Sequence, residues 1–451
     1  MSYCGYIVAL KNVRAHPNAD KMKLADCFGN TVCVGLDAAD GEIGVYFPSD
    51  GQLSMEFCKE NNLLRLYDEN GHSIPGGGYL EPDKRNIKAI SLRGVKSDGL
   101  FCTLQSLTYT GIDMNTLNVG DTINVVNGHD ICQKYIPRGK KTNGGQKAGN
   151  RTRKKKAPIA PLLVEHIDTE QLAYNLSAFK PGDEIEITLK MHGTSQRTGY
   201  LPVFKGYKRT LWDKITRKEG TPIYDWDYVT GTRRTVLDNY DGGYYGSNEF
   251  REQYHTFFKG KLHKGEEIFY EIVGYTHDGR PIMASGKTPK EYQKQYGKDT
   301  EFSYGCTPPN SKIYVYRMSM INEDGDIVEY SPDYMRYRCE QMGVDCVPVF
   351  ATMKLTEDGG WVFRKDGTFS AVSESDIGEF VRLVAEEFYD GPDPIGKTHT
   401  REGIVARIIN RPKFTAYKHK NWCFKVVEGI IKENAEAPDM EEAESADVDT
   451  E

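Results

Sequence analysis

Short segments rich in β-branched and aromatic residues follow one another over about the first 130 residues, each bounded by Gly, Asp or Asn. This pattern predicts brief strands separated by turns. The predicted strands are Tyr6–Leu10, Lys23–Cys27, Thr31–Gly35, Gly44–Phe47 and Leu100–Leu104. Strands at this spacing suit a small closed barrel such as an OB-fold. A generic β-barrel whose turns use Asn, Asp and Gly is the alternative.

The pattern changes from about residue 161, where longer alternating segments are mixed with helical spacing. Alternating segments predict further strands at Ile185–Lys190, Ile268–Val273 and Ile313–Met318. Ile377, Phe380, Val381 and Val384 have helical spacing, which predicts a helix within 375–388. The stretches 234–265 and 285–311 lack this patterning and are interpreted as insertions or surface excursions. The sequence therefore predicts an α+β fold.

Length and composition restrict the class of protein. A chain of 451 residues exceeds one ordinary domain, and 38% hydrophobic residues suffice for packed cores. We expect no membrane segment, because no apolar run approaches the roughly 18 residues that such a helix needs. Ten cysteines without a Cys-x-x-Cys pair argue against a zinc module. They favour free thiols in a reducing cytoplasm, or in the host cytoplasm for a viral protein.

Charge is segregated along the chain, and the net charge of −7 conceals this. Residues 434–451 carry eight acids and no base, so residues 1–433 alone have a net charge of +1. Between Arg138 and Lys156 there are nine Lys or Arg and no acid, which predicts a linker. This linker is either a solvated tether or a contact to a phosphate backbone. The predicted division is an OB-like nucleic-acid-binding module at 1–135, a basic linker at 136–160, a second domain at 161–430 and an acidic disordered tail at 431–451.

The Lys-x-x-Gly pattern, in which a lysine can become a covalent nucleotide carrier, occurs at Lys96, Lys141, Lys190 and Lys294. Lys96 lies in the OB-like region, Lys141 in the basic linker and Lys294 in an apparent insertion. Lys190 follows a clean predicted strand, and acidic and basic motifs come after it at suitable distances. We therefore predict that Lys190 is the nucleophile.

The motifs after Lys190 suit attack on a phosphate. An amine attacks only when it is deprotonated, and the leaving pyrophosphate needs positive charge around it. Lys418 and Lys420 stand two apart on a predicted strand, so they point to the same face. Glu402 is a hard ligand that suits Mg²⁺ or Mn²⁺. Exposed glutamates at strand ends are the alternative reading of the acidic motifs.

These segments resemble the covalent nucleotidyltransferases, the polynucleotide ligases and mRNA capping enzymes. Lys190-Met-His-Gly-Thr-Ser is similar to the first motif of RNA ligases, several of which have His where DNA ligases and capping enzymes have Asp. The resemblance implies ATP as co-substrate and a divalent metal, Mg²⁺ or Mn²⁺, at Glu402 and Glu271. It implies nucleotide contacts from His192, Gly193, Arg209, Glu271, Tyr316 and Glu402, and catalytic roles for Lys190, Lys418 and Lys420. A structural role for His192 is the open alternative.

The order of the predicted domains also resembles one class of RNA ligase. Capping enzymes and DNA ligases place an OB domain after the final lysine motif, whereas 31 residues follow Lys420 here. The OB-like region lies upstream, and Val45–Ser54 looks like the OB module of the ligases that carry this domain first. We therefore expect a nucleotidyltransferase domain with central antiparallel sheets after an N-terminal OB module.

The resemblance implies an ATP-dependent RNA ligase that joins 3′-OH and 5′-phosphate ends through lysyl-AMP and adenylylated RNA. Its expected partner is RNA, nicked or in a duplex, and a monomer without a membrane partner is expected. The alternatives are a DNA ligase, a GTP-dependent capping enzyme, or a non-catalytic RNA-binding protein.

Overall fold

The computed structural model describes residues 3–136, 157–164, 166–216, 220–233, 235–237, 240, 248–374 and 376–433. Of these, the residues within Met1–Arg138 and Trp422–Glu433 form one compact unit. Those within Gly139–Asn421 form the other. The predicted basic run at 138–156 and the acidic residues from 434 onward lie outside the described residues.

The first unit is built from short, mostly antiparallel strands. They are β1 (Gly5–Ala9), β2 (Lys11–Ala15), β3 (Lys23–Cys27), β4 (Asn30–Val34), β5 (Ile43–Phe47), β6 (Gly51–Leu53), β7 (Leu66–Tyr67), β8 (Ser73–Ile74), β9 (Ala89–Leu92), β10 (Val95–Asp98), β11 (Leu100–Thr103), β12 (Thr122–Ile123), β13 (Val125–Val126), β14 (His129–Asp130) and β15 (Cys132–Lys134), with helix α1 (Met55–Glu60) after β6. A central sheet has the order β11-β5-β1-β12, and β2-β3-β4 form another. The five strands predicted from the pattern are confirmed as β1, β3, β4, β5 and β11. The OB-fold stays a prediction.

The second unit contains two larger sheets with helices around them. Its strands are β16 (Glu170–Gln171), β17 (Glu184–Lys190), β18 (Thr194–Lys208), β19 (Thr221–Gly231), β20 (Val236–Leu237), β21 (Glu266–Gly274), β22 (Gly286–Lys287), β23 (Asp299–Thr300), β24 (Ser311–Ile321), β25 (Ile327–Glu329), β26 (Asp345–Cys346), β27 (Val349–Thr356), β28 (Gly359–Arg364), β29 (Phe369–Ser373), β30 (Gly403–Ile408) and β31 (Thr415–Lys420). Its helices are α2 (Leu211–Thr216), α3 (Glu249–Phe258), α4 (Gln293–Tyr296), α5 (Pro332–Met342) and α6 (Ile377–Tyr389). The expected α+β class with antiparallel sheets is confirmed.

Strand order brings distant motifs together. One sheet, called here the lysine sheet, has the order β16-β31-β30-β17-β27-β28-β29. The other, called here the glutamate sheet, has the order β20-β19-β18-β21-β24-β25. Strand β17, which ends at Lys190, is central in the lysine sheet. It lies beside β30 and one strand from β31, although more than 200 residues separate them along the chain.

Alternation along β17 explains its place in the core. Ile185 and Ile187 are fully buried, and they pack with Phe380, Val381 and Val384 of helix α6. Helix α6 begins after Asp376, whose carboxylate accepts the Glu379 N–H at 3.0 Å as an N-cap. The helix predicted within 375–388 is therefore confirmed. The opposite face of β17 carries Glu186, Thr188 and Lys190.

Two segments interpreted as insertions or surface excursions contribute to the core, so the surface-excursion interpretation was wrong for their described residues. Phe250 and Phe258 of helix α3, in the 234–265 segment, are buried, as are Phe302 and Tyr304 in the 285–311 segment. Arg251 is fully buried and donates to Thr194 Oγ1 at 2.6 Å. These residues were missed because buried side chains in a short helix and in irregular backbone give no long periodic signal.

Helix α7 (Trp422–Glu433) closes the described part of the chain and groups with the first unit. Lys425 Nζ pairs with the buried Asp98 carboxylate at 2.5 Å. The Lys96 ammonium lies 5.1 Å from the Trp422 ring centroid. The predicted second domain, residues 161–430, includes most of this helix. In the structure the helix groups with the first unit.

All ten cysteines are free thiols, as the sequence predicted. Among the helices that the structure describes, none combines the length and the apolar character needed to cross a bilayer.

Candidate active site

Strand pairing assembles the predicted lysines and one glutamate. Lys190, the last residue of β17, is opposite Gly403 at the start of β30, and Gly403 is opposite Lys420 at the end of β31. Glu402 immediately precedes Gly403, so its side chain enters the space between the two lysines. Three motifs that are far apart in sequence therefore meet at one end of the lysine sheet.

The carboxylate of Glu402 is the centre of an ionic cluster. Its Oε1 lies 2.7 Å from Lys190 Nζ and 3.5 Å from Lys420 Nζ, and its Oε2 lies 3.7 Å from His192 Nδ1. The Glu402 side chain is only 2% exposed. A buried carboxylate between two ammonium groups is stabilised by them, since burial strengthens the attraction between charges. Glu402 is therefore not an exposed acid at a strand end.

The glutamate sheet contributes a second set of predicted residues. Glu271 on β21 is opposite Ser195 on β18 and is buried. The Ser195 hydroxyl lies 3.0 Å from the Tyr316 hydroxyl, which lies 3.3 Å from His166 Nδ1. These contacts fix the Tyr316 ring at the wall of a cavity.

Gly193 allows the first motif to approach β21 closely. A Cβ at this position would lie 2.4 Å from the Ile272 carbonyl oxygen and 2.9 Å from Glu271 Cγ. No side chain fits at such distances, so the glycine is required by packing. This close approach sets the position of Glu271 relative to Lys190.

A cavity of about 120 Å³ lies between these elements. Four predicted residues line it, Lys190, Glu271, Tyr316 and Lys418. Glu402, His192 and Lys420 join this group through the ionic cluster. Arg209 does not line the cavity; it is exposed, just after the end of β18.

Three arginines that were not predicted as site residues line the same cavity. Arg336 of helix α5 pairs with Glu186 at 2.7 Å, and Arg233 pairs with Asp168 at 2.5 Å. Arg407 on β30 is buried, which lowers the pKa of its guanidinium, and it donates to the Tyr330 carbonyl at 3.0 Å. The alternation of side chains along β30 could have predicted that Arg407 lies on the face opposite the core. Arg336 had no signal, because only tertiary packing places helix α5 here.

His192 is held by an aromatic cluster from the segment after β23. Its backbone N–H donates to the Tyr304 hydroxyl at 2.7 Å, and its ring packs edge-on against Phe302 with centroids 4.5 Å apart. Tyr304 in turn packs against His399. Burial, together with the charges of Glu402, Asp393 and Glu271, raises the pKa of Tyr304, so its phenol stays neutral. Burial has the opposite effect on the imidazole of His399, whose pKa it lowers.

Replacing Tyr304 by phenylalanine is expected to destabilise the protein by about 1–3 kcal/mol, because the His192 N–H loses its acceptor beside a buried ring. Urea unfolding of both proteins measures this difference. Tyr337→Phe is the matched control, since Tyr337 is 54% exposed, and its expected effect is within about 0.5 kcal/mol. Equal effects of the two substitutions would contradict the role assigned to Tyr304.

The loop before Glu402 is organised by one buried carboxylate. Asp393 accepts the backbone N–H groups of Ile395, Gly396 and Thr398 at 2.7–3.0 Å. At the other end, the Asn421 N–H donates to the Glu402 carbonyl at 2.9 Å. Backbone contacts on both sides therefore fix the direction in which Glu402 points.

One carboxylate oxygen of the ionic cluster suits a hard divalent cation as a ligand. Glu402 Oε2 is buried and makes no hydrogen bond. The described residues contain no cluster of three or more His, Cys, Asp or Glu side chains able to enclose a metal. Mg²⁺ usually keeps several waters and binds through one or two carboxylates together with substrate phosphates. The site therefore fits a cation that is shared with a bound phosphate.

Several solved structures of one RNA ligase have a similar fold. No protein-family model matches the chain, and no curated protein matches its sequence. A variant of Naegleria gruberi RNA ligase with ATP and Mn superposes with a TM-score of 0.54 at 14% identity, over 94% of this chain and 97% of that chain. The same ligase with pyrophosphate gives 0.53 at 14% identity, over 92% and 96%. The chain shares the fold of this RNA ligase.

A third structure, a variant of the Naegleria ligase with AMP and Mn, gives a TM-score of 0.52 at 14% identity, over 93% of this chain and 97% of that chain. The similarity thus extends over nearly the whole of both chains. The mixed α+β fold of an RNA ligase, which the sequence resemblance implied, is confirmed, whereas the N-terminal OB module stays a prediction.

Proposed function

We propose that this protein is an ATP-dependent RNA ligase with Lys190 as its covalent nucleophile. The observation that carries the proposal is the ionic cluster of Lys190, Glu402 and Lys420 beside a cavity lined by Glu271, Tyr316 and Lys418. A fold shared with an RNA ligase solved with ATP, AMP and pyrophosphate supports it.

The first step forms lysyl-AMP. The Lys190 amine, after losing its proton, attacks the α-phosphorus of ATP; a nitrogen–phosphorus bond forms and pyrophosphate leaves. Lys418 and Lys420 lie on the same face of β31, where their charges stabilise the transferring phosphate. A divalent metal held by Glu402, with Glu271 as a further carboxylate, would neutralise charge on the phosphates.

The cavity suits the nucleoside. Tyr316 offers a ring for adenine, and Glu271 offers a carboxylate for the ribose hydroxyls. His192 and Gly193 would line the AMP after transfer. We assign Arg209 to the RNA side of the reaction, because it is exposed and lies outside the cavity.

Two further steps complete ligation. A 5′-phosphate oxygen of RNA attacks the lysyl-AMP phosphorus, which releases Lys190 and leaves a 5′–5′ pyrophosphate end. A 3′-hydroxyl then attacks the RNA phosphate, and AMP leaves. We propose that the first unit is an OB-like module that contacts the substrate backbone, and that the enzyme acts in the reducing cytoplasm, which its ten free thiols favour.

With ATP and Mg²⁺, the protein is expected to join a labelled 5′-phosphate RNA to a 3′-hydroxyl RNA across a nick. The matched substrate with a 3′-deoxy end lacks the final nucleophile, so adenylylated RNA should accumulate instead. Denaturing electrophoresis separates the two products. Covalent labelling of the protein by α-labelled GTP but not ATP, without joining, would favour a capping-type enzyme, and joining of DNA but not RNA would favour a DNA ligase. Binding of RNA without consumption of ATP would leave a non-catalytic RNA-binding protein.

A further inference from the structure

The face of the lysine sheet that carries Lys190 extends to the opposite edge of that sheet. Glu186, on the same face of β17 as Lys190, is opposite Thr352 on β27; Thr352 is opposite Phe363 on β28, and Phe363 is opposite Phe369 on β29. Residues directly opposite one another in paired strands point to the same side of the sheet. Phe363 and Phe369 therefore share the face of the nucleophile.

This outer part of the sheet exposes large rings to solvent. Trp361, Phe363 and Phe369 are 41%, 48% and 55% exposed. The rings of Trp361 and Phe369 are nearly parallel, at 9° with centroids 5.2 Å apart, and Phe363 lies 5.3 Å from Phe369. We call these three residues the aromatic platform. The other face of β28 is ordinary core, since Val362 is fully buried in the cluster with Phe380.

We propose that the aromatic platform binds the bases of an unpaired RNA strand that leads toward Lys190. This inference rests on the proposed ligase function and adds a substrate-binding site to it. Exposed, closely spaced rings are one of the features by which proteins bind single strands without reading sequence, because every base has a π-face. A shared face with the nucleophile makes a strand of RNA, rather than an unrelated partner, the occupant that the structure favours.

The distance suits a short stretch of RNA. Phe363 is two strands across from Glu186, and Glu186 is four residues along β17 from Lys190. With strands ~4.8 Å apart and a rise of ~3.3 Å per residue, the two positions are separated by roughly 16 Å along the sheet. A few extended nucleotides span this separation.

The lysine beside the platform already has an acidic partner. Lys354, opposite Trp361, is 60% exposed and pairs with Glu184 at 3.4 Å. Stacking, rather than attraction to phosphates, is therefore expected to supply the binding energy at this place. Loss of the rings should lower affinity without changing its dependence on salt, because no phosphate contact is removed.

The test compares two double substitutions in the full-length protein. Phe363→Leu with Phe369→Leu keeps apolar volume but removes the rings, whereas Phe363→Tyr with Phe369→Tyr keeps them. Fluorescence anisotropy with a labelled single-stranded RNA is expected to show a Kd about tenfold weaker or more for the leucine protein. The tyrosine protein should stay within about twofold of wild type, and the slope of log Kd against log salt should be equal in all three.

A blunt duplex of the same sequence is the matched ligand, and neither substitution should affect its binding, because its bases are already stacked. Equal affinity of the leucine and wild-type proteins for single strands, or an equal loss for the duplex, would overturn the platform. Covalent labelling by α-labelled ATP, measured without RNA, tests the ligase proposal separately from the aromatic platform. Normal labelling with unchanged RNA affinity rejects the platform alone, whereas absent labelling of wild type rejects the ligase proposal.

Discussion

Replacing Lys190 by alanine is expected to abolish covalent labelling of the protein by α-labelled ATP and to lower RNA joining roughly a thousandfold or more. On the proposed mechanism, the Lys190 amine forms the bond to AMP. Lys420, whose Nζ lies 3.5 Å from Glu402 Oε1, is not expected to replace it, because the proposed mechanism uses Lys420 to stabilise the transferring phosphate. The measurement is incubation with ATP and Mg²⁺ followed by denaturing electrophoresis.

Two matched lysines make this experiment decisive. Lys96 and Lys294 also begin Lys-x-x-Gly sequences, but Lys96 belongs to the first unit and Lys294 is exposed on the short helix α4. Lys96→Ala and Lys294→Ala should therefore be labelled like wild type. Lys190→Arg keeps a positive charge beside Glu402 but offers no nucleophilic amine, so it should resemble alanine. Labelling of Lys190→Ala at the wild-type rate would reject the assignment of the nucleophile.

Substituting Glu402 by glutamine is expected to give the second large effect. The change keeps the size of the side chain but removes the charge that pairs with both Lys190 and Lys420. We expect lysyl-AMP formation to slow by about 10²–10³-fold, because the two ammonium groups lose the carboxylate that positions them and the cation that would neutralise the phosphates loses a ligand. Single-turnover labelling over a series of Mg²⁺ concentrations measures this, and the Mg²⁺ concentration needed for half-maximal rate should rise.

Asp183→Asn is the control for breaking a partly buried ion pair elsewhere in the lysine sheet. Asp183 pairs with Arg411 at 2.6 Å and does not line the cavity. This control is expected to lower stability and to leave the Mg²⁺ dependence of labelling unchanged. Glu402→Asp keeps the charge and should recover part of the rate if the carboxylate acts on the cation. An unchanged rate and Mg²⁺ dependence in a folded Glu402→Gln protein would contradict this role.

Several parts of the fold followed from local patterns. Alternation predicted β17, β21 and β24, and helical spacing predicted α6. Helix α6 and strand β17 pack an apolar face into one core, whereas β21 is buried along its whole length. The segments that were wrongly interpreted as surface excursions have no such local pattern. Phe302 and Tyr304 are buried from irregular backbone, where no period of 2 or 3.6 residues exists to reveal them.

The residues of the candidate site also include some that the sequence predicted and some that it did not. Lys190, Glu271, Glu402 and Lys418 were selected from motif order, and the structure brings them together around the cavity. Arg336 was not selected, because its position depends on how helix α5 packs rather than on any neighbouring residue. The resemblance implied a nucleotide contact for Arg209, yet Arg209 follows the end of β18 and does not line the cavity.

The sequence by itself determined which residue types are available and in what order: a lysine beside a glycine, two acidic strand ends and a closing pair of lysines. Only the tertiary structure decided that Lys190, Glu402 and Lys420 share one ionic cluster, and that helix α7 joins the first unit. The physical reason is the range of the interactions. Side-chain periodicity is local, whereas the pairing of β17 with β30 joins residues more than 200 positions apart and is selected by the packing of the whole sheet.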